Sequence, residues 1–405
     1  MANIAILGYG TVGSGVYEVI RTNQNIVNRN SGTDINVKYV LDLRDFPGDP
    51  VEKVLVHDFD TIVNDPEVDI VVEVMGGLEP AYTFVKKSLL AGKSVCTSNK
   101  ELVAKKGPEL LQIAKEKSIN FFFEASVGGG IPIIRALNSS LTADDVLEIT
   151  GILNGTTNYI LTQMADEGWD FDKALKTAQE LGFAERNPEA DIEGFDACRK
   201  IAILSSLVNG SYVDFEEIYT EGISKITARD IEYAKKMGRA IKLLASSKRE
   251  EGNIYAFVAP FMIPVSHPLY SVNGVFNAIF VNGNCLGDAM FYGSGAGKLP
   301  TASAVVSDVV YGAKHLHVNV PVDLKDEKVE LSSMDNATRA FFVRVKGTKA
   351  ERIDEIRKTY GDVTAIELDG VSDEFGFVTE PMTEKKFREE YNNTKDAISR
   401  IRLEK

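Results

Sequence analysis

Cysteine is scarce. Cys96, Cys198 and Cys285 are far apart and odd in number, which argues against a disulfide framework and against a zinc site and places the protein in the cytoplasm. No apolar run approaches the roughly 20 residues of a membrane span, and the chain opens on a strand rather than on a basic segment with an apolar signal core. Positive charge is in deficit: the formal net charge of −14 disfavours nucleic acid as a partner. Histidine offers little, because His57, His315 and His317 belong to no constellation. His267, in Ser266-His267-Pro268-Leu269, is a candidate acid or base, with a structural role before proline as the plainer reading.

What is present is an ordinary globular composition, 44% hydrophobic and 26% charged, in 405 residues, enough for two or three domains with substantial cores. Residues 3–7 form a short apolar strand, followed at once by Gly8-Tyr9-Gly10-Thr11-Val12-Gly13 and a helix to about residue 21. GxGxxG between a strand and a helix predicts a dinucleotide site: the glycines permit a tight turn, and the pyrophosphate meets the positive helix end. Gly8, Gly10, Thr11, Val12 and Gly13 are its candidate residues. The second strand, 35–41, ends in Asp42-Leu43-Arg44. An acid there binds a ribose 2′-hydroxyl and an arginine a 2′-phosphate, so NAD and NADP both stay open.

Alternating strands and helices continue to residue 124, with strands at 69–75, 94–97 and 120–124 and helices at 80–90 and 108–118. This α/β order predicts a Rossmann-type domain over residues 1–125. Its strand 94–97 delivers Thr97 and the loop residue Lys100 to the carboxyl edge, where ligands of such sheets bind. The loop Glu124-Ala125-Ser126-Val127-Gly128-Gly129-Gly130-Ile131-Pro132 reads first as a hinge, with a monovalent-cation nest as the other possibility.

From 126 to 299 helices interleave with long alternating strands at 146–153, 253–263, 275–281 and 284–291, which predicts an α+β domain on an open, largely antiparallel sheet. Asn154-Gly155-Thr156-Thr157-Asn158, between strand and helix, is rich in groups that bind a polar ligand. Gly293-Ser294-Gly295-Ala296-Gly297 precedes a helix at 302–315, so the chain is expected to return to the first domain over 300–316 and Gly297 to meet the cofactor. Beyond a polar linker, 318–335, the order βαββαβ over 336–405 is that of a split-βαβ module.

The stretch 182–200 carries the chemistry. Gly182 closes a helix, an acidic loop holds Glu185, Glu189, Asp191 and Glu193, and a second helix spans 195–208. At 100° per residue Lys200 falls in the middle of that helix's apolar arc, with Asp196 one turn earlier on the same face. A lysine there is either a snorkelling stem paired with Asp196 or a proton donor whose pKa burial lowers. The acidic residues just ahead of it favour the second reading.

Together these stretches resemble the homoserine dehydrogenases over nearly all of residues 1–320. Ala178, Gly182, Asn187-Pro188, Asp191, Gly194, Asp196 and Lys200 match that family's signature, and the segments 151–159 and 124–132 look like its own. The resemblance implies NAD(P)-dependent reduction of aspartate semialdehyde to homoserine, in threonine, methionine and isoleucine biosynthesis. It implies Lys200 as proton donor, Lys100 as a second active-site lysine, and Glu185, Asp191 and Asp196 in the substrate pocket. Glu185 and Asp191 would bind the substrate's ammonium, and Lys100 or the NH groups at Gly155 and Thr156 its carboxylate. It makes Glu124, Val127, Gly129 and Ile131 a sodium loop, against the hinge, and implies a catalytic and dimerisation domain in a homodimer or homotetramer. The tail is similar to an ACT domain in strand order but lacks that domain's Asp-Lys-Pro-Gly turn after Phe341-Phe342-Val343-Arg344-Val345. Two other readings are a different NAD(P)-dependent oxidoreductase of an amino or keto acid and a non-catalytic ligand sensor.

Overall fold

A computed structural model describes residues 1–404, which fall into two compact units. The first comprises residues 1–145, 202–215 and 291–329, the second 146–201, 216–290 and 330–405. No helix among the described residues is long and apolar enough to cross a membrane.

The first unit is built on a parallel six-stranded sheet: β1 (Ala2–Leu7), β2 (Ile35–Leu41), β3 (Leu55–Val56), β4 (Ile70–Glu73), β5 (Ser94–Thr97) and β6 (Phe121–Phe122), in the order β3-β2-β1-β4-β5-β6. The order reverses between β1 and β4, which opens the crevice where doubly wound sheets take ligands. Ile4 and Ile6 of β1 and Val72 of β4 pack against Val16 and Ile20 of helix α1 (Thr11–Thr22) and against Val305 and Val309 of the helix Lys298–Lys314. The return of the chain to this unit is thus a matter of shared apolar core. One helix differs from expectation: Lys100–Glu116 starts well before residue 108. Asn99 caps it by accepting the Leu102 N–H, and the buried Leu102, Val103, Leu110 and Leu111 carry it through Pro108. Lys100 therefore stands on the first turn of a helix and not in a loop.

The larger sheet runs Gly287–Ser294, Phe276–Gly283, β7 (Val146–Ile152), Arg239–Glu250, Asn253–Pro264, Ala397–Leu403, Thr338–Lys346, Glu374–Thr379, Val363–Ile366. Arg239–Glu250 is not apparent in the sequence. Its interior is buried on both faces, and Lys242, Ser246, Ser247 and Lys248 among the buried residues erase the alternation that marks a half-exposed strand. The tail keeps its expected order of elements, but its last strand pairs in parallel with Asn253–Pro264, at Phe261↔Arg402 and Met262↔Leu403, so one sheet is continuous through both. The tail's last helix is Glu384–Asn393, and Asp396, at φ 54°, turns the chain into that strand.

Candidate active site

The glycine turn meets its geometric requirements. A Cβ on Gly13 would lie 1.9 Å from the carbonyl oxygen of Gly8, whereas one on Gly10 would meet nothing within 4 Å. Gly13 is demanded by the turn itself, and Gly10 leaves the surface open. Helix α1 begins at Thr11 with no side chain capping it, so its first-turn N–H groups are suited to an anion. Val12, on the same turn, packs against the core. Gly297, at φ 117°, precedes the helix Lys298–Lys314, which likewise has no side-chain cap.

Beside the turn is a cavity of about 540 Å³ lined by Gly8, Gly10, Asp42, Arg44, His57 and Met75 among others. Asp42 accepts the N–H of Tyr9 at 2.8 Å and the Arg44 guanidinium at 2.9 and 3.0 Å. The Arg44 guanidinium holds the Asp42 carboxyl well below the usual carboxylate range. An open glycine turn, uncapped N–H groups and a carboxylate at the end of β2 together fit a dinucleotide.

At the carboxyl edge, a side chain not singled out in the sequence organises the loops. Glu73, fully buried at the end of β4, accepts the Thr97 hydroxyl at 2.6 Å and the Met75 N–H at 2.8 Å. Burial pushes its carboxyl pKa up. Thr97 in turn accepts the Asn99 N–H at 2.9 Å, and Asn99 caps the helix that starts at Lys100. A charged residue inside an apolar, doubly covered run was the available signal, the same one that marked Lys200.

The loop 124–132 turns through consecutive left-handed glycines, Gly128 and Gly129. The Glu124 carboxylate is committed to the N–H groups of Ile134 (2.8 Å) and Arg135 (2.7 Å), and its own N–H donates to Asp308. Any ion here would be held by backbone carbonyls, a donor set that suits a hard monovalent cation. Burial, with the Glu124 charge nearby, raises the Asp308 carboxyl to about 7.

In the second unit, Lys200 is 8% exposed. Its ammonium donates to Asp196 at 2.6 Å, the pairing expected from helical spacing, and to the carbonyl of Leu153 at 2.7 Å. Asn154, the N-cap of the helix Gly155–Glu167, accepts the Thr157 N–H and donates to Asp191 at 2.7 Å and Asp196 at 3.0 Å. One asparagine therefore gathers both carboxylates beside the lysine. The acidic loop is partly helical at Glu189–Ile192. Its end rests on the segment Tyr219–Thr220 and beyond, where the Ile223 N–H donates to Ile192. Glu185 is exposed, whereas Asp196 and Lys200 are buried. The Thr156 hydroxyl donates to the Phe183 carbonyl at 2.5 Å, tying the helix start to the loop, and Gly155 lies against the carbonyl of Val275.

A dinucleotide turn on a doubly wound sheet and a buried lysine–carboxylate pair behind an acidic loop define an NAD(P)-dependent oxidoreductase acting on a CH–OH group. The family model described as homoserine dehydrogenase matches residues 132–310, and that of the homoserine dehydrogenase NAD binding domain matches residues 8–124. Homoserine dehydrogenase of Bacillus subtilis is 43% identical over 321 residues, 78% of this chain and 74% of its own. That of Synechocystis is 46% identical over 314 residues, 76% of this chain and 72% of its own. A solved homoserine dehydrogenase from Thiobacillus denitrificans superposes with a TM-score of 0.90 at 36% identity, over 100% of this chain and 98% of its own. A hyperthermophilic archaeal homoserine dehydrogenase in complex with NADPH covers 77% of this chain and 97% of its own, with a TM-score of 0.66 at 31% identity. The chain belongs to the homoserine dehydrogenase family, whose members interconvert L-aspartate 4-semialdehyde and L-homoserine with NAD(P) on the way to threonine, methionine and isoleucine.

Proposed function

We propose that Lys200 is the proton donor of aspartate semialdehyde reduction, with Asp196 and Asn154 holding it and Asp191 and Glu185 receiving the substrate's ammonium. The observation that carries this reading is the buried array Asn154–Asp196–Lys200, with Asp191 bonded to the same asparagine. The bound dinucleotide supplies the hydride. As negative charge develops on the substrate oxygen, Lys200 stabilises it and gives up a proton, and in the reverse direction its amine takes the hydroxyl proton. Lys100, on the first turn of its helix, or the N–H groups around Gly155 and Thr156 serve the substrate carboxylate. Glu185→Ala and Asp191→Ala are each expected to raise KM for homoserine with little change in KM for the dinucleotide, measured by steady-state kinetics. An unchanged homoserine KM would remove that residue from the ammonium site. The same assays with sodium replaced by choline test a sodium ion on the carbonyls of Glu124, Val127, Gly129 and Ile131: activity indifferent to the exchange would reject it.

The choice of cofactor turns on Arg44. Bonded edge-on to Asp42, it offsets the carboxylate that would repel a 2′-phosphate. Arg44→Ala is expected to shift the ratio of kcat/KM for NADP⁺ over NAD⁺ toward NAD⁺ by about 10- to 100-fold, the loss of one charge-assisted bond of about 1.5–3 kcal/mol. An unmoved ratio would place the discrimination elsewhere. Assembly as a homodimer or homotetramer is part of the same proposal, supported by the exposed Met290 and Tyr292 on the edge strand Gly287–Ser294 and tested by sedimentation.

A further inference from the structure

Lys242, on the strand Arg239–Glu250, is 2% exposed, and nothing in the chemistry above uses it. Its ammonium donates to three uncharged oxygens: the carbonyl of Val272 at 2.5 Å, Asn273 Oδ1 at 2.7 Å and Asn158 Oδ1 at 3.3 Å. Lysine is rarely buried without a carboxylate, because the charge must be desolvated and only neutral dipoles repay it. Burial accordingly lowers its pKa to about 8, with Asp166 the charge acting in the opposite sense. An ammonium surrounded by carbonyl and amide oxygens is chemically the arrangement of a monovalent-cation site, with the ion attached to the chain.

The three oxygens belong to two segments. Asn158 lies on the first turn of the helix Gly155–Glu167, and Val272 and Asn273 lie on the loop before the strand Phe276–Gly283. Asn158 closes the same contact from its other side, donating to the carbonyls of Val272 at 3.2 Å and Phe276 at 3.0 Å. The two segments are packed backbone to backbone, since a Cβ on Gly155 would lie 2.7 Å from the Val275 oxygen. One residue upstream of Gly155, Asn154 bonds Asp191 and Asp196, and the Leu153 carbonyl takes the Lys200 ammonium. A single helical turn thus joins Lys242 to the residues assigned to the reaction.

We propose that Lys242 is a positioning residue, a tethered monovalent cation whose neutral oxygen ligands hold the turn 153–158 where the Asn154–Asp196–Lys200 array requires it. The inference rests on the site as read above. Lys242→Ala is expected to lower kcat/KM for homoserine by about 10²-fold, the scale of a 1 Å misplacement of reacting groups, while KM for the dinucleotide stays unchanged. Ammonium or ethylammonium chloride should restore much of that loss by occupying the cage, whereas tetramethylammonium chloride at equal ionic strength, with no N–H and a larger radius, should not. If Lys242→Ala fails to fold, Lys242→Met, which keeps the stem, decides: the same selective loss supports the proposal. Wild-type kcat/KM in a folded variant overturns it, as does a loss that no small amine reverses in folded Lys242→Ala. Lys200→Ala in the same assay reports on the site reading by itself, because retained turnover there would undo that reading whatever Lys242 does.

Discussion

Lys200→Ala is expected to lower kcat for homoserine oxidation and for aldehyde reduction by about 10²- to 10⁴-fold, the range for a well-placed general acid. Dinucleotide affinity should be unchanged, because the groups that fit the cofactor stand on the turn between β1 and α1 and just beyond the end of β2. In the proposed role the interaction removed is one made in the transition state, so kcat and kcat/KM should fall together, as stopped-flow and steady-state assays would show. Lys200→Arg separates charge from proton transfer. A guanidinium keeps the positive charge beside Asp196 but does not deprotonate in this range, so this variant should remain strongly impaired. Turnover near wild type in Lys200→Ala would exclude the role, and recovery in Lys200→Arg would reduce it to electrostatic stabilisation.

Arg402→Ala is expected to cost about 3–5 kcal/mol of stability, the scale for breaking a buried ion pair by deleting one partner. Arg402, 2% exposed on the last strand, donates to both Glu384 oxygens at 2.6 and 2.9 Å, to Glu221 at 2.6 Å and to the Tyr219 hydroxyl at 3.0 Å. Deleting it leaves Glu384 and Glu221, two carboxylates that the fold has largely removed from water, with only the more distant guanidinium groups of Arg339 (3.7 Å) and Arg400 (3.6 Å). Burial works to raise the Glu221 carboxyl's pKa, but the charges of Arg402 and Arg400 outweigh it and the net shift is downward. A carboxylate with a depressed folded pKa contributes stability above its unfolded value, near 4.3, and that contribution disappears as the pH falls through the folded value. The gap between Arg402→Ala and wild type should therefore be widest near neutrality and narrow on acidification below about pH 4. Urea unfolding across that range measures it, and a gap independent of pH would remove Glu221 from the account. Pairing Arg402→Met with Glu384→Gln should recover part of the loss, since the second change removes a stranded charge.

Local sequence was sufficient wherever the controlling contacts are local. The glycine turn at 8–13 is dictated by the clash that any Cβ on Gly13 would make with Gly8, and the pairing of Asp196 with Lys200 follows from four residues of helix. The strand–helix alternation up to residue 124 was legible for the same reason, since period and spacing are properties of one segment, whereas the signature through 178–200 was legible only by its resemblance to the family. Only the tertiary structure decided which distant segments meet. Asn154 reaches Asp191 and Asp196, 37 and 42 positions along the chain, and Lys200 reaches the Leu153 carbonyl at a separation of 47. Glu73 became an organiser of the carboxyl edge through Thr97, 24 positions away. The strand Arg239–Glu250 is silent in the sequence because burial on both faces, with lysines and serines satisfied by partners from elsewhere, leaves no period to read. The tail's place in the larger sheet rests on contacts such as the pairs Phe261↔Arg402 and Met262↔Leu403 and the Arg402 guanidinium bonded across to Glu221. Such pairings depend on the energy of bringing remote charges and strand edges together out of water, and no one segment of sequence encodes that energy.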